Sequence, residues 1–291
     1  MRRAILLAMI VLVPLAVFGA LLAADWSYGR PGRGYDYVIT VDLPRAGGGI
    51  GLPKIDGPLD ASRPLVVIDA GHGGKDPGAG AGTLKEKTLT LMLALALRDE
   101  LLKNGGVRVA LTRAGDSYLV LEERPAIARR LGADLFISIH ADSTDGDGSA
   151  MGATVYTLSA KGSSQIAERI ATRENAADRI NGVVMTGQSS AVSAILVDLS
   201  QRETQTLSEA FAGLVLREAR GIMPLKVPQP QSAAFAVLKS PDLPSVLFEC
   251  GYINNTADMA RLTSPGGKQA FADALGQAIR IYFARAGAAP A

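Results

Sequence analysis

The chain has 291 residues, a formal net charge of +2, 48% apolar residues, one cysteine and two histidines. A charge this close to balance, with no basic stripe interleaved with aromatics, excludes nucleic acid as an expected partner. The single cysteine, Cys250, excludes an intramolecular disulfide and a cysteine-rich zinc site, and within the mostly apolar run Val246 to Cys250 it reads as a small core residue.

The chain begins with Arg2 and Arg3 ahead of an uncharged apolar run from Ala4 to Ala24. A charged start and an apolar stretch predict export, and the run is near the ~20 residues that span a bilayer. Residues 1–24 are therefore a signal peptide or, uncleaved, a membrane anchor. Both outcomes stay open, because small residues end the run while Leu21 and Leu22 occupy the −3 positions of a cleavage site. With the two arginines on the cytoplasmic side, the body of the protein is expected in the periplasm. Residues 25–62 are rich in Gly and Pro and read as a linker, with one modest strand candidate at Tyr35 to Leu43.

From Arg63 the pattern alternates. The apolar run Leu65 to Ile68, closed by Asp69 and a glycine turn, predicts a strand buried on both faces. Apolar residues at helical spacing predict a helix over Glu86 to Lys103, stopped at Asn104-Gly105-Gly106. Further strands are expected at Val107 to Leu111, Asp134 to Ile139, Gly152 to Leu158, Phe235 to Leu238 and Ser245 to Cys250. Further helices are expected at Leu121 to Leu131, Ser163 to Ile180, Ser200 to Arg220 and Gly266 to Ala284. The strand Val107 to Leu111 can pair in either sense, and Ala191 to Val197 has no assigned state. Alternation of this kind predicts an α/β fold: a mostly parallel twisted sheet with helices on both faces, here one domain over 63–285 with a short tail at 286–291.

The chemistry gathers where strands end. His72 follows VVIDAG and His140 follows LFISI. Either histidine alone reads more simply as a core or turn residue; the pair, at equivalent ends of two buried strands, points to a metal. A third donor is available in Glu86, which starts the helix after the first strand and so lies at the same sheet edge. It reads equally as a carboxylate facing the helix dipole. Taken together, His72, Glu86 and His140 form a His₂Glu set, the pattern of a catalytic zinc site with an open fourth position. Glu249 ends the last apolar strand and is costly there without a partner or a task. Beside a metal it can take and deliver a proton; a buried salt bridge is the competing reading. Asp69 is a candidate partner for a ligand histidine.

The segments VVIDAGHGGKDPGA, LKEKTLTL, SIHADS and SVLFECGYINN resemble, in order over roughly Pro64 to Phe283, the catalytic domain of the zinc-dependent N-acetylmuramoyl-L-alanine amidases. The resemblance implies one zinc held by His72, Glu86 and His140 and an essential Glu249. It also implies cleavage of the amide between N-acetylmuramic acid and L-alanine in peptidoglycan, for wall remodelling and daughter-cell separation. In regulated relatives an inserted helix covers the metal until an activator protein displaces it. The corresponding insert here spans about 160–200, with Glu174 as the candidate plug; a solvated helical carboxylate is the alternative. Many relatives carry a wall-targeting domain before the catalytic one, for which the linker is too short. A zinc peptidase acting on another wall-peptide amide and a catalytically silent wall-binding module are the competing functions.

Overall fold

The structure is a computed structural model describing residues 51–81, 84–144, 148–178 and 194–288. Residues 1–24 expected to direct export, the strand candidate Tyr35 to Leu43, residues 179–193 of the insert and the last residues of the tail lie outside the described residues.

Nine strands are described: β1 (Ile55–Asp56), β2 (Leu65–Ala70), β3 (Gly80–Ala81), β4 (Leu84–Lys85), β5 (Arg108–Leu111), β6 (Leu135–Asp142), β7 (Thr154–Leu158), β8 (Gln231–Ala233) and β9 (Ser245–Tyr252). The helices are α1 (Glu86–Asn104), α2 (Glu123–Arg130), α3 (Gln165–Glu174), α4 (Ala194–Ala219), α5 (Thr256–Thr263) and α6 (Pro265–Ala288). Seven strands form one sheet in the order β1-β5-β2-β6-β9-β7-β8, and β3 and β4 form a small hairpin beside it. The centre of the sheet, β5-β2-β6-β9, is parallel, while β1 and β7 join it antiparallel. The expected mostly parallel α/β sheet is therefore present.

Local sequence explains most of these elements. Every residue of β2, β6 and β9 is buried, as central parallel strands covered on both faces require. Helix α1 buries Leu89, Leu93, Leu97 and Leu101, one stripe at four-residue spacing. It ends where Gly105 takes φ +66°, its N–H donating to Leu101 O. Helix α3 is capped by Ser164, whose side chain accepts from Ala167 N. The helix buries Ala167, Ile170, Ala171 and Glu174, so a carboxylate sits on its apolar stripe.

Three expectations change. Phe235 to Leu238 is not a strand: the strand lies at Gln231–Ala233, and Ala236–Leu238 is a 3₁₀ turn. The Asn175 side chain takes Ala234 O and Ala236 N, both at 2.8 Å, and so occupies backbone groups that a longer ladder needs. Ile55–Asp56, within the stretch read as linker, pairs with β5 as an edge strand. Helix α4 begins at Ala194, inside the stretch left without a state, and the sequence pattern did not reveal α5 at all.

The sheet's two faces are covered unequally. One carries α1, α4, α5 and α6 over a large apolar cluster that includes Ile139, Phe248 and Cys250. The other carries α2, α3 and the 3₁₀ turn over a smaller cluster that includes Phe136, Phe235 and Leu247. Strand alternation puts Asp69, His140 and Glu249 on this second face.

Candidate metal centre

β2 ends at Ala70, and the next two residues turn sharply. His72 takes φ +60°, the only described non-glycine residue with positive φ, a conformation costing roughly 1–2 kcal/mol for a residue with a Cβ. Gly71 is required before it: a Cβ there would lie 2.5 Å from the His140 ring. Gly78, at φ +62°, brings the following loop equally close, since a Cβ there would meet Glu86 Oε2 at 2.6 Å. These two glycines let His72, His140 and Glu86 approach one another.

The parallel register sets the rest. His140 on β6 is paired with Glu249 on β9, and Thr154 on β7 is paired with Glu249 from the other side. Glu86, in the first turn of α1, returns to the same edge, where Ala79 N donates to its Oε2 and Ala141 N to its Oε1, both at 2.9 Å. The end of α3 delivers Glu174 from above. His72 Nε2 lies 3.1 Å from Glu86 Oε1 and 3.3 Å from Glu174 Oε2; His140 Nδ1 lies 3.1 and 3.0 Å from the same two atoms. One donor atom from each of the four residues falls within 4.8 Å of every other, and all four residues are buried.

The four groups are strongly linked electrostatically. Burial opposes ionisation of all four groups, yet their mutual attraction overrides it. The Glu86 charge and the hydrogen bond to Asp76 push the His72 pKa well up, and Glu174 pushes His140 to about 10. His72 draws the Glu86 carboxyl down to about 2, and His140 draws Glu174 well below the usual range. His72 Nε2 and Glu174 Oε2 are buried with no hydrogen bond of acceptable geometry. Two imidazoles and two carboxylates with buried donor atoms this close could hold a divalent metal ion.

Glu249 stands beside this cluster. Among the described residues neither of its carboxylate oxygens has a hydrogen-bond partner. Burial first, then the Asp142 and Glu174 charges, raise its pKa well above the ordinary carboxylate value. Asp142 is itself paired with Arg173, whose Nη2 lies 2.5 Å from Asp142 Oδ1 and whose Nη1 donates to Ser143 O at 2.7 Å.

The structure thus brings together His72, Glu86, His140, Glu174 and Glu249. Asp69 is placed differently from expectation. It accepts from Thr112 Oγ1 at 2.6 Å, Ser138 Oγ at 2.7 Å and Arg124 Nη1 at 2.9 Å, and hydrogen-bonds neither histidine. The reason is position: Asp69 lies on β2 between β5 and β6, in register with Ser138, two residues before His140. The carboxylate that does bond a site histidine is Asp76, whose Oδ2 lies 2.7 Å from His72 Nδ1. Sequence reasoning missed it, although it sits four residues after His72 in a glycine-rich turn that brings the chain back on itself.

The fold carries a buried set of four residues that could hold a metal, and comparison with known proteins identifies the class of enzyme. The family profile for N-acetylmuramoyl-L-alanine amidase matches residues 66–280. Amidase AmiA of Escherichia coli K12 is 38% identical over 221 residues, covering 75% of this chain and 76% of that protein. Amidase AmiC of Escherichia coli O6:H1 is 37% identical over 231 residues, 78% of this chain and 55% of that protein. Among solved structures, the amidase AmiC2 of Nostoc punctiforme superposes with a TM-score of 0.54 at 29% identity, over 76% of this chain and 98% of that one. The chain belongs to the N-acetylmuramoyl-L-alanine amidases, hydrolases of an amide bond in peptidoglycan.

Proposed function

We propose that this amidase is a zinc enzyme in which His72, Glu86 and His140 hold the metal, Glu249 moves the proton, and Glu174 blocks the metal in the resting state. The observation that carries this reading is the convergence of four buried donor atoms. A tetrahedral set at ~2.0–2.1 Å from zinc has its donors ~3.3 Å apart, and the histidine–carboxylate donor distances here are 3.0 to 3.3 Å. When bound, zinc supplies the Lewis acid that polarises the scissile carbonyl and acidifies a water.

The chain's own residues do the remainder. Asp76 holds the His72 ring by its Nδ1, leaving Nε2 free for the metal. The Ala79 and Ala141 amides fix both oxygens of Glu86. Glu249, dry and without a competing partner, accepts a proton from the attacking water and returns it to the L-alanine nitrogen as the amide breaks.

Glu174 occupies the fourth position of the donor set, which an active zinc hydrolase keeps open. It is held there from its own helix by the neighbouring Arg173–Asp142 pair. Such an arrangement supports autoinhibition, relieved when a partner protein moves α3. We also place the enzyme in the periplasm, exported through residues 1–24 and acting in cell separation.

Digestion of purified peptidoglycan tests the reading. Zinc-loaded protein should release stem peptides beginning with L-alanine, chelator-treated protein should not, and Glu174→Ala should be several-fold faster than the parent without any partner. Products cut elsewhere in the stem would make it a wall peptidase. A Glu174→Ala protein no faster than the parent would remove the autoinhibition.

A further inference from the structure

We propose that Arg113 and Arg124 form a two-guanidinium clamp that sets the backbone of the His72 turn and so aims His72 Nε2 at the metal. They are positioning residues for the amidase reaction, and the proposal rests on the reading of His72 as a zinc ligand.

Three successive carbonyls leave the end of β2, and each is taken by a guanidinium. Ala70 O accepts from Arg113 Nε and from Arg124 Nη1, both at 2.9 Å. Gly71 O accepts from Arg113 Nη2 at 2.8 Å, and His72 O accepts from Arg124 Nη2 at 2.9 Å. The two arginines arrive from different elements, one just past β5 and one from the first turn of α2, and are only 4% and 2% exposed. Arg124 is oriented by Asp69, which Thr112 and Ser138 grip in turn. Gly73, at φ +127°, leaves room for the clamp, since a Cβ there would lie 2.9 Å from Arg113 Nε.

Charge is not what this arrangement contributes. Among the described residues only Asp69 forms an ion pair with either guanidinium. The arrangement sets two guanidinium groups against one carboxylate and so adds no net negative charge to hold a cation. Its value is geometric: a planar fork can satisfy adjacent carbonyls at fixed angles, which a lysine cannot. A histidine at φ +60° persists only where its surroundings over-determine it. Released, the turn relaxes toward ordinary φ and carries the ring away from Glu86 and His140.

The test reads zinc affinity, by chelator competition on folded protein, together with the visible spectrum of the cobalt-loaded form. Arg124→Lys, which keeps the charge and loses the fork, should bind zinc ~10- to 100-fold more weakly and show an altered cobalt spectrum. Phe271→Leu, a core change on the opposite face, should lower Tm while keeping parental affinity. Parental affinity in Arg124→Lys overturns the proposal. The near-isosteric Thr112→Val, which loosens Asp69 alone, keeps the test decisive if Arg124→Lys does not fold. It should weaken zinc several-fold, and parental affinity there overturns the proposal equally. His72→Ala separates the two layers: zinc binding as tight as the parent's would overturn the ligand assignment itself.

Discussion

The two faces of the central sheet differ at adjacent residues of the same strands. On β6, Ile139 and Ala141 enter the large apolar cluster, while His140 between them faces the metal cluster. On β9, Phe248 and Cys250 lie in that same apolar cluster, while Glu249 between them faces His140. A strand's two-residue period lets one segment carry a core row and a reactive row at once. The face under α1, α4 and α6 supplies the burial that holds the strands in register. The face under α2 and α3 holds buried charges, strained backbone and unpaired carboxylate oxygens. Stability and chemistry are thus separated by parity, not by distance along the chain.

Substitutions at alternating positions should break or sharpen this separation. The largest effect is expected for His140→Ala, which removes a proposed ligand: bound zinc, measured by metal analysis, should be lost and activity with it. Glu249→Gln should lower kcat by ~10²–10⁴ while zinc content and fold persist, because its oxygens hold no hydrogen bond that the fold needs. Phe248→Ala, one residue away, should do the opposite. It is fully buried against Phe271, so denaturant unfolding should show a loss of about 3–5 kcal/mol. The folded fraction should still bind zinc at parental stoichiometry. The smallest effect belongs to a surface pair on the reactive side, Arg129 with Asp242. Both are about half exposed, and Arg129→Ala should cost less than ~1 kcal/mol and leave activity unchanged. If Phe248→Ala abolished zinc binding in folded protein, the two faces would not be independent.

Position along the α3 helix shows how such a site can be read ahead of the structure. Glu174 falls seven residues after Ala167 and three after Ala171, on the stripe that the helix buries. A carboxylate on an apolar stripe is a signal available from spacing alone. The same holds for Asp142, two residues after His140 on one strand. Neither signal says what waits opposite, and that is where sequence reading placed Asp69 wrongly. Its partners Thr112, Arg124 and Ser138 lie 43, 55 and 69 residues away.

The sequence by itself determined the buried strands, the long helices and the sheet edge, and it named His72, Glu86, His140 and Glu249 as candidates that the fold brings to that edge. Each follows from periodicity, composition or a resemblance carried by short segments, and these are local properties of the chain. Only the tertiary structure decided that Glu174 reaches the two histidines, that Asp76 and not Asp69 holds a histidine ring, and that two arginines grip the turn after β2. It also decided that Phe235 to Leu238 is no strand. Those outcomes depend on which polar groups meet through space once the strands are in register. A buried donor or acceptor takes whichever partner the packing brings to it, whatever its distance along the chain.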